Sequence, residues 1–149
     1  LISGQSCMNS SIEQSSKAFR LLNPKTLYNP QPFAYSHIAE VTQFQRVLHI
    51  SGQGGENQRG LLSTDFAVQV RQAFQNIELA LTHVQATLQD TAVLRILVVD
   101  HNPQKHQFLI QEMQKLWKDQ PFPACTLIPV PCLALAGMLI EIEATAYCQ

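Results

Sequence analysis

Residues 137–147 read GMLIEIEATAY, and apolar and polar side chains alternate along the whole stretch. In an extended chain successive side chains point to opposite sides. Met138, Ile140, Ile142, Ala144 and Ala146 therefore share one face, and Leu139, Glu141, Glu143, Thr145 and Tyr147 the other. A helix would scatter both sets around its axis. The pattern demands a strand whose apolar face lies on a core and whose second face holds two carboxylates, so the rest of the chain has to supply layers for that core.

Helices are the layers the sequence offers. Phe66, Val70, Ala73, Ile77, Leu81 and Val84 recur at steps of three and four, with Gln69, Gln72, Gln75 and Glu78 on the other side, which predicts an amphipathic helix of about five turns. Ser63 or Thr64 caps it, with Asp65 in the first turn. A second helix is announced by Asn102 and Pro103, carries Leu109, Ile110, Met113, Leu116 and Trp117, and is stopped by Pro121 and Pro123. Between them VLRILVVD, 93–100, reads as a central strand buried on most of both faces. Upstream, SHIAEVT (36–42) and RVLHISG (46–52) read as a hairpin about Gln43–Gln45, and prolines at 24, 30 and 32 make 18–34 an extended, irregular arm. The order β-β-α-β-α-β-β describes an α+β layer, a mixed sheet with two helices covering one face. The other face, with Leu139, Tyr147 and Leu127 assigned to it, is left for another subunit.

Composition agrees with a covered face. Of 149 residues only 14% are charged, against about a quarter in an average globular chain, so a homo-oligomer is expected. A formal net charge of −1, with no run of Lys or Arg, makes nucleic acid an unlikely partner. No apolar run approaches the ~20 residues that cross a membrane, and Cys7, Cys125, Cys132 and Cys148 have no tight spacing, so a soluble, cytoplasmic, reducing setting is expected. Residues 1–7 read as a tag remnant, 1–17 as a disordered tail, and 18–149 as a single domain.

Few segments carry chemistry by spacing alone. GQGGENQRG, 52–60, lacks the phosphate-loop and dinucleotide patterns, and its bland reading is a turn. Histidines at 37, 49, 83, 101 and 106 include no i, i+4 pair, so neither metal nor cofactor is expected. Glu141 and Glu143 point the same way, either as a solvated face or with one of them handling a proton or a water. Cys125 stands in PFPACTLIPVP with no cation nearby in sequence, the setting of an inert thiol rather than a nucleophile.

Together the segments NPKTLYNPQPFAYSH (23–37), VLHISGQGG (47–55), DFAVQVRQAFQNIELAL (65–81), VLRILVVDHNP (93–103) and PFPACTLIPVPCLALAGMLIEIEATAY (121–147) resemble the reactive-intermediate deaminase family, Rid or YjgF-like. Older labels for it are endoribonuclease L-PSP and translation initiation inhibitor. The resemblance implies a chorismate-mutase-like α+β fold and a homotrimer with clefts between subunits. It also implies hydrolytic deamination of enamines and imines to 2-keto acids and ammonia, without metal or cofactor. By the same resemblance Tyr35, Ser51 and Gly52 line the cleft and Glu143 orients water. The family's substrate-gripping arginine falls at Cys125. Two charge-assisted hydrogen bonds lost there are worth roughly 3–6 kcal/mol, so a carboxylate ligand should suffer. Arg46, Arg59, Arg71, Arg95 and Lys105 are the cations that could substitute. The reading is thus a trimer that binds a small imine-, enamine- or keto-acid-like metabolite with weakened or redirected hydrolysis. The alternatives are a ligand-sensing or protein-binding trimer or, against the charge balance, an endoribonuclease.

Overall fold

The computed structural model describes residues 17–149, so nearly all of the expected tail, Cys7 included, lies outside the described residues. Along the chain come β1 (Phe19–Leu22), β2 (Ile38–Val41), β3 (Arg46–Gln53), α1 (Phe66–His83), β4 (Thr91–Val99), α2 (Pro103–Trp117), β5 (Ala124–Val130) and β6 (Ile140–Cys148). The alternating segment becomes β6, with Ile140, Ile142, Ala144 and Ala146 buried and its second face half open. β6 lies between β3 and β4, antiparallel to both, and β5 runs parallel to β4 at the edge. The order β3-β6-β4-β5 is the mixed sheet that the pattern predicted.

Both helices cover the same face of this sheet. Val70, Phe74, Ile77 and Leu81 of α1 and Leu109, Ile110, Met113 and Trp117 of α2 pack in one cluster with Leu94, Ile96 and Val98 of β4 and the apolar row of β6. Burying each such aliphatic side chain is worth roughly 1.5–3 kcal/mol, so the cluster is the main reason the layers stay together. Local signals set the helix starts. Asn102 caps α2 by accepting the Lys105 amide at 2.8 Å, with Pro103 just inside. In α1 the cap is Asp65 rather than Ser63 or Thr64, since its carboxylate accepts the Ala67 amide at 2.8 Å while Ser63 Oγ accepts the Asp65 amide at 3.1 Å. α2 ends at Trp117, before the prolines, because Lys118 takes φ 54°.

Three expectations need correction. β2 and β3 do not form a hairpin: β2 pairs with β1, a strand inside the arm expected to be irregular, with Phe19 opposite Val41 and Leu22 opposite Ile38. Phe19 packs with Ala18 and Ala92, so burial of this pair outweighs a turn at 43–45 that has no glycine to tighten it. β4 is buried on one face only, because Val93 and Arg95 are exposed where Leu94, Ile96 and Val98 are not; an unbroken aliphatic run does not show whether its second face has a partner. Leu127 belongs to the helix side, standing beside Ile96 and packing on the core. The open face shows Val47, Val93, Leu97 and Ile128 around Arg95 and Glu143.

Candidate functional site

At the β3 edge the ladder to β6 slips between Ile50, opposite Ala144, and Gln53, opposite Ile142. Three steps on β3 match two on β6, so Ser51 and Gly52 form a bulge that presents backbone on the sheet's open side. Gly52 lets the Glu141 side chain approach closely: a Cβ there would lie 2.6 Å from its Cδ, so the carboxylate would have to swing aside. Glu143, one step along the same face, is held instead by Arg95 Nη1, directly across from it on β4. Both partners are well exposed, and such pairs contribute ~0–1 kcal/mol, which leaves the guanidinium free to release the carboxylate.

A second set of residues gathers at the β5 edge. Ser36 bridges to Ala124, its amide donating to Pro123 O at 3.0 Å and its hydroxyl to Phe122 O at 2.6 Å. This anchor, reached through Ala34 at φ 59°, sets Tyr35 beside Cys125. Both line a cavity of about 550 Å³ between the arm, α2 and β5. The Tyr35 hydroxyl is hydrogen-bonded to that of Tyr28, and His37 Nε2 lies 2.8 Å from the Tyr28 carbonyl oxygen. Cys125 stands beside Leu94 and packs on the core, and burial pushes its thiol up to about 12. At neutral pH it is a neutral thiol, not a thiolate nucleophile.

The structure thus divides the residues singled out in the sequence. It joins Tyr35 to Cys125, and Ser51 and Gly52 to the carboxylate face. Within one chain it does not join the two sets, because β3 and β5 are opposite edges of the sheet, roughly 14 Å apart at ~4.8 Å per strand, and Cys125 faces the helices. In the sequence Glu141 stands only as an alternative to Glu143, and Arg95 only as one of five possible substitute cations. Strand alternation put both glutamates on one face, but only the bulge shows which of them abuts Gly52. Of the possible substitute cations, Arg46 donates to Val84 O at 2.7 Å, Arg71 lies 3.5 Å from Glu112, and Lys105 donates to Val99 O at 2.7 Å.

The family model described as Endoribonuclease L-PSP matches residues 29–148, a span that includes both sets. The chain belongs to the Rid/YjgF family. A solved Rid-family protein of unknown function, YyfB from Yersinia pestis, is 36% identical, with a TM-score of 0.83 over 87% of this chain and 98% of its own. A second from the same organism, YyfA, is 28% identical, with a TM-score of 0.63 over 76% of this chain and 86% of its own. A probable translation initiation inhibitor from Rhodopseudomonas palustris is 25% identical, with a TM-score of 0.61 over 76% of this chain and 84% of its own. No curated protein matches the chain. A neutral, half-buried sulfur follows Pro123 and Ala124, where the resemblance implies an arginine. Among the described residues no helix is long and apolar enough to cross a membrane.

Proposed function

We propose that this Rid/YjgF chain forms a homotrimer whose intersubunit clefts bind a small metabolite, and that it hydrolyses carboxylate-bearing imines far more slowly than members with an arginine after Pro-Ala. The observation that carries the reading is the neutral Cys125 thiol in a cavity lined by no Asp, Glu, Lys or Arg. A cleft between neighbouring subunits would bring one chain's β5 edge, with Tyr35 and Cys125, against another's β3 edge, with Ser51 and Gly52, and Glu141 beside them on β6. The apolar open face, with Val47 and Val93 each more than a third exposed, favours that assembly.

In such a cleft, hydrolysis needs a water placed against the imine carbon, a carboxylate to accept its proton, and departure of ammonia to leave the 2-keto acid. Glu141 or Glu143 can hold the water, but a substrate carboxylate meets no paired cation at Cys125. Of the old labels, RNA cleavage is the less favoured, because a chain of net charge −1 offers little to phosphates.

The test is to generate 2-iminopropanoate in situ with an amino-acid oxidase and follow its loss. Wild type should be slow, and Cys125→Arg should gain at least tenfold if even half of the roughly 3 kcal/mol lower bound is recovered. Fast wild-type turnover that disappears in Glu143→Ala would overturn the reading.

A further inference from the structure

The floor of the β5 cavity is Ile96, Leu109 and Met113, each 3% exposed, whereas Tyr28 at its mouth is 62% exposed and Phe33 47%. The space therefore runs from solvent into the core, and its volume of about 550 Å³ falls within the roughly 300–1,000 Å³ of small-molecule sites. Apart from Cys125, the polar side chains on the helix side of its lining are Tyr28, Tyr35 and His106, whose imidazole stacks on Phe33 at 8° between planes. The nearest lysine in sequence, Lys105, turns away, its ammonium on Val99 O and 4.9 Å from the Phe66 ring centre.

We propose that this cavity selects an uncharged small molecule, with an apolar ring-sized body against Met113 and Leu109 and one neutral polar group toward the Tyr28, Tyr35 and His106 end. The proposal rests on reading the β5 edge as part of the ligand cleft, and it deepens that reading by naming the ligand class. An ion entering the cavity loses its hydration and finds no Asp, Glu, Lys or Arg in the lining to pair with, a loss that a neutral amide or hydroxyl largely avoids by hydrogen bonding. Replacement of a cation by Cys125 thereby acts on selectivity as well as on rate: it converts the wall beside Leu127 into a continuation of the apolar floor.

Calorimetric titration of the full chain with phenylacetamide, phenylacetate and phenethylamine tests this, since the three probes share a ring and differ in charge. Phenylacetamide should bind saturably and at least about tenfold tighter than either ion. Met113→Trp should weaken it by tenfold or more, and Cys125→Arg should reverse the preference toward phenylacetate. Should Met113→Trp fail to unfold cooperatively, Leu127→Trp on the same wall replaces it. Absent amide binding, phenylacetate binding as tight as the amide, or a cavity-filling variant that still binds would overturn the proposal. Slow imine hydrolysis restored in Cys125→Arg alongside absent amide binding would sink this inference alone. Fast wild-type hydrolysis would sink the proposed function whatever the amide does.

Discussion

Cys125 and Gly52 are single residues whose surroundings fix what each is able to do. Folding holds the Cys125 thiol protonated, raising it from 9.0 to about 12. Its contribution to stability is therefore full below about pH 9 and is lost as pH rises toward 12. Denaturant unfolding across that range should show wild type losing more stability than Cys125→Ala. Thiol labelling at pH 8 of a Cys7→Ser protein should likewise modify exposed Cys132 rapidly and leave Cys125 and buried Cys148 slow until the chain unfolds, as read by mass spectrometry. At Gly52 an added Cβ meets only the movable end of Glu141, whereas at Gly55 it meets the Gln69 backbone at 2.6 Å. Gly55→Ala should cost about 1–3 kcal/mol in thermal unfolding, while Gly52→Ala should keep the fold and displace the Glu141 carboxylate.

Between elements, Gln69 is the tie that sets the start of β6. It is fully buried, and its Nε2 donates to Ser63 O at 2.7 Å and Gly137 O at 2.8 Å while its Oε1 accepts the Leu139 amide at 2.9 Å. One glutamine thus joins α1, the loop before it and the strand that carries both glutamates. Gln69→Leu leaves these backbone groups unpaired, so a loss of roughly 3 kcal/mol or more is expected in urea titration, with the Leu139 amide exchanging faster with deuterium. The sequence placed Gln69 on the polar side of α1, because a buried glutamine looks like a surface one until its partners are known. The same limit explains the expected hairpin. Local alternation identified 36–42 and 46–52 as strands, but strand pairing is a contest between distant segments, decided here by Phe19 and by the β6 ladder.

For the whole molecule, the exposed apolar row across β3, β4 and β5 bears on the proposed trimer. Light scattering at micromolar concentration should give a mass near 50 kDa, three times the 16.7 kDa of one chain. Val93→Glu should reduce it toward one chain while leaving a folded protein, because Val93 is already 39% exposed within its own chain. A mass near 17 kDa for wild type would remove the intersubunit cleft and with it the reunion of Cys125 and Ser51.

From the sequence alone came the α+β class, both amphipathic helices, the alternating strand and the Rid resemblance, since periodicity and short motifs are written in neighbouring residues. Tertiary structure decided what depends on distant ones. It put β1 beside β2, turned Leu127 and Cys125 toward the helices, set Glu141 against Gly52 and Glu143 against Arg95, and opened behind β5 a cavity lined by no Asp, Glu, Lys or Arg. A strand's period says which residues share a face, but only the packing of separate segments says what that face meets.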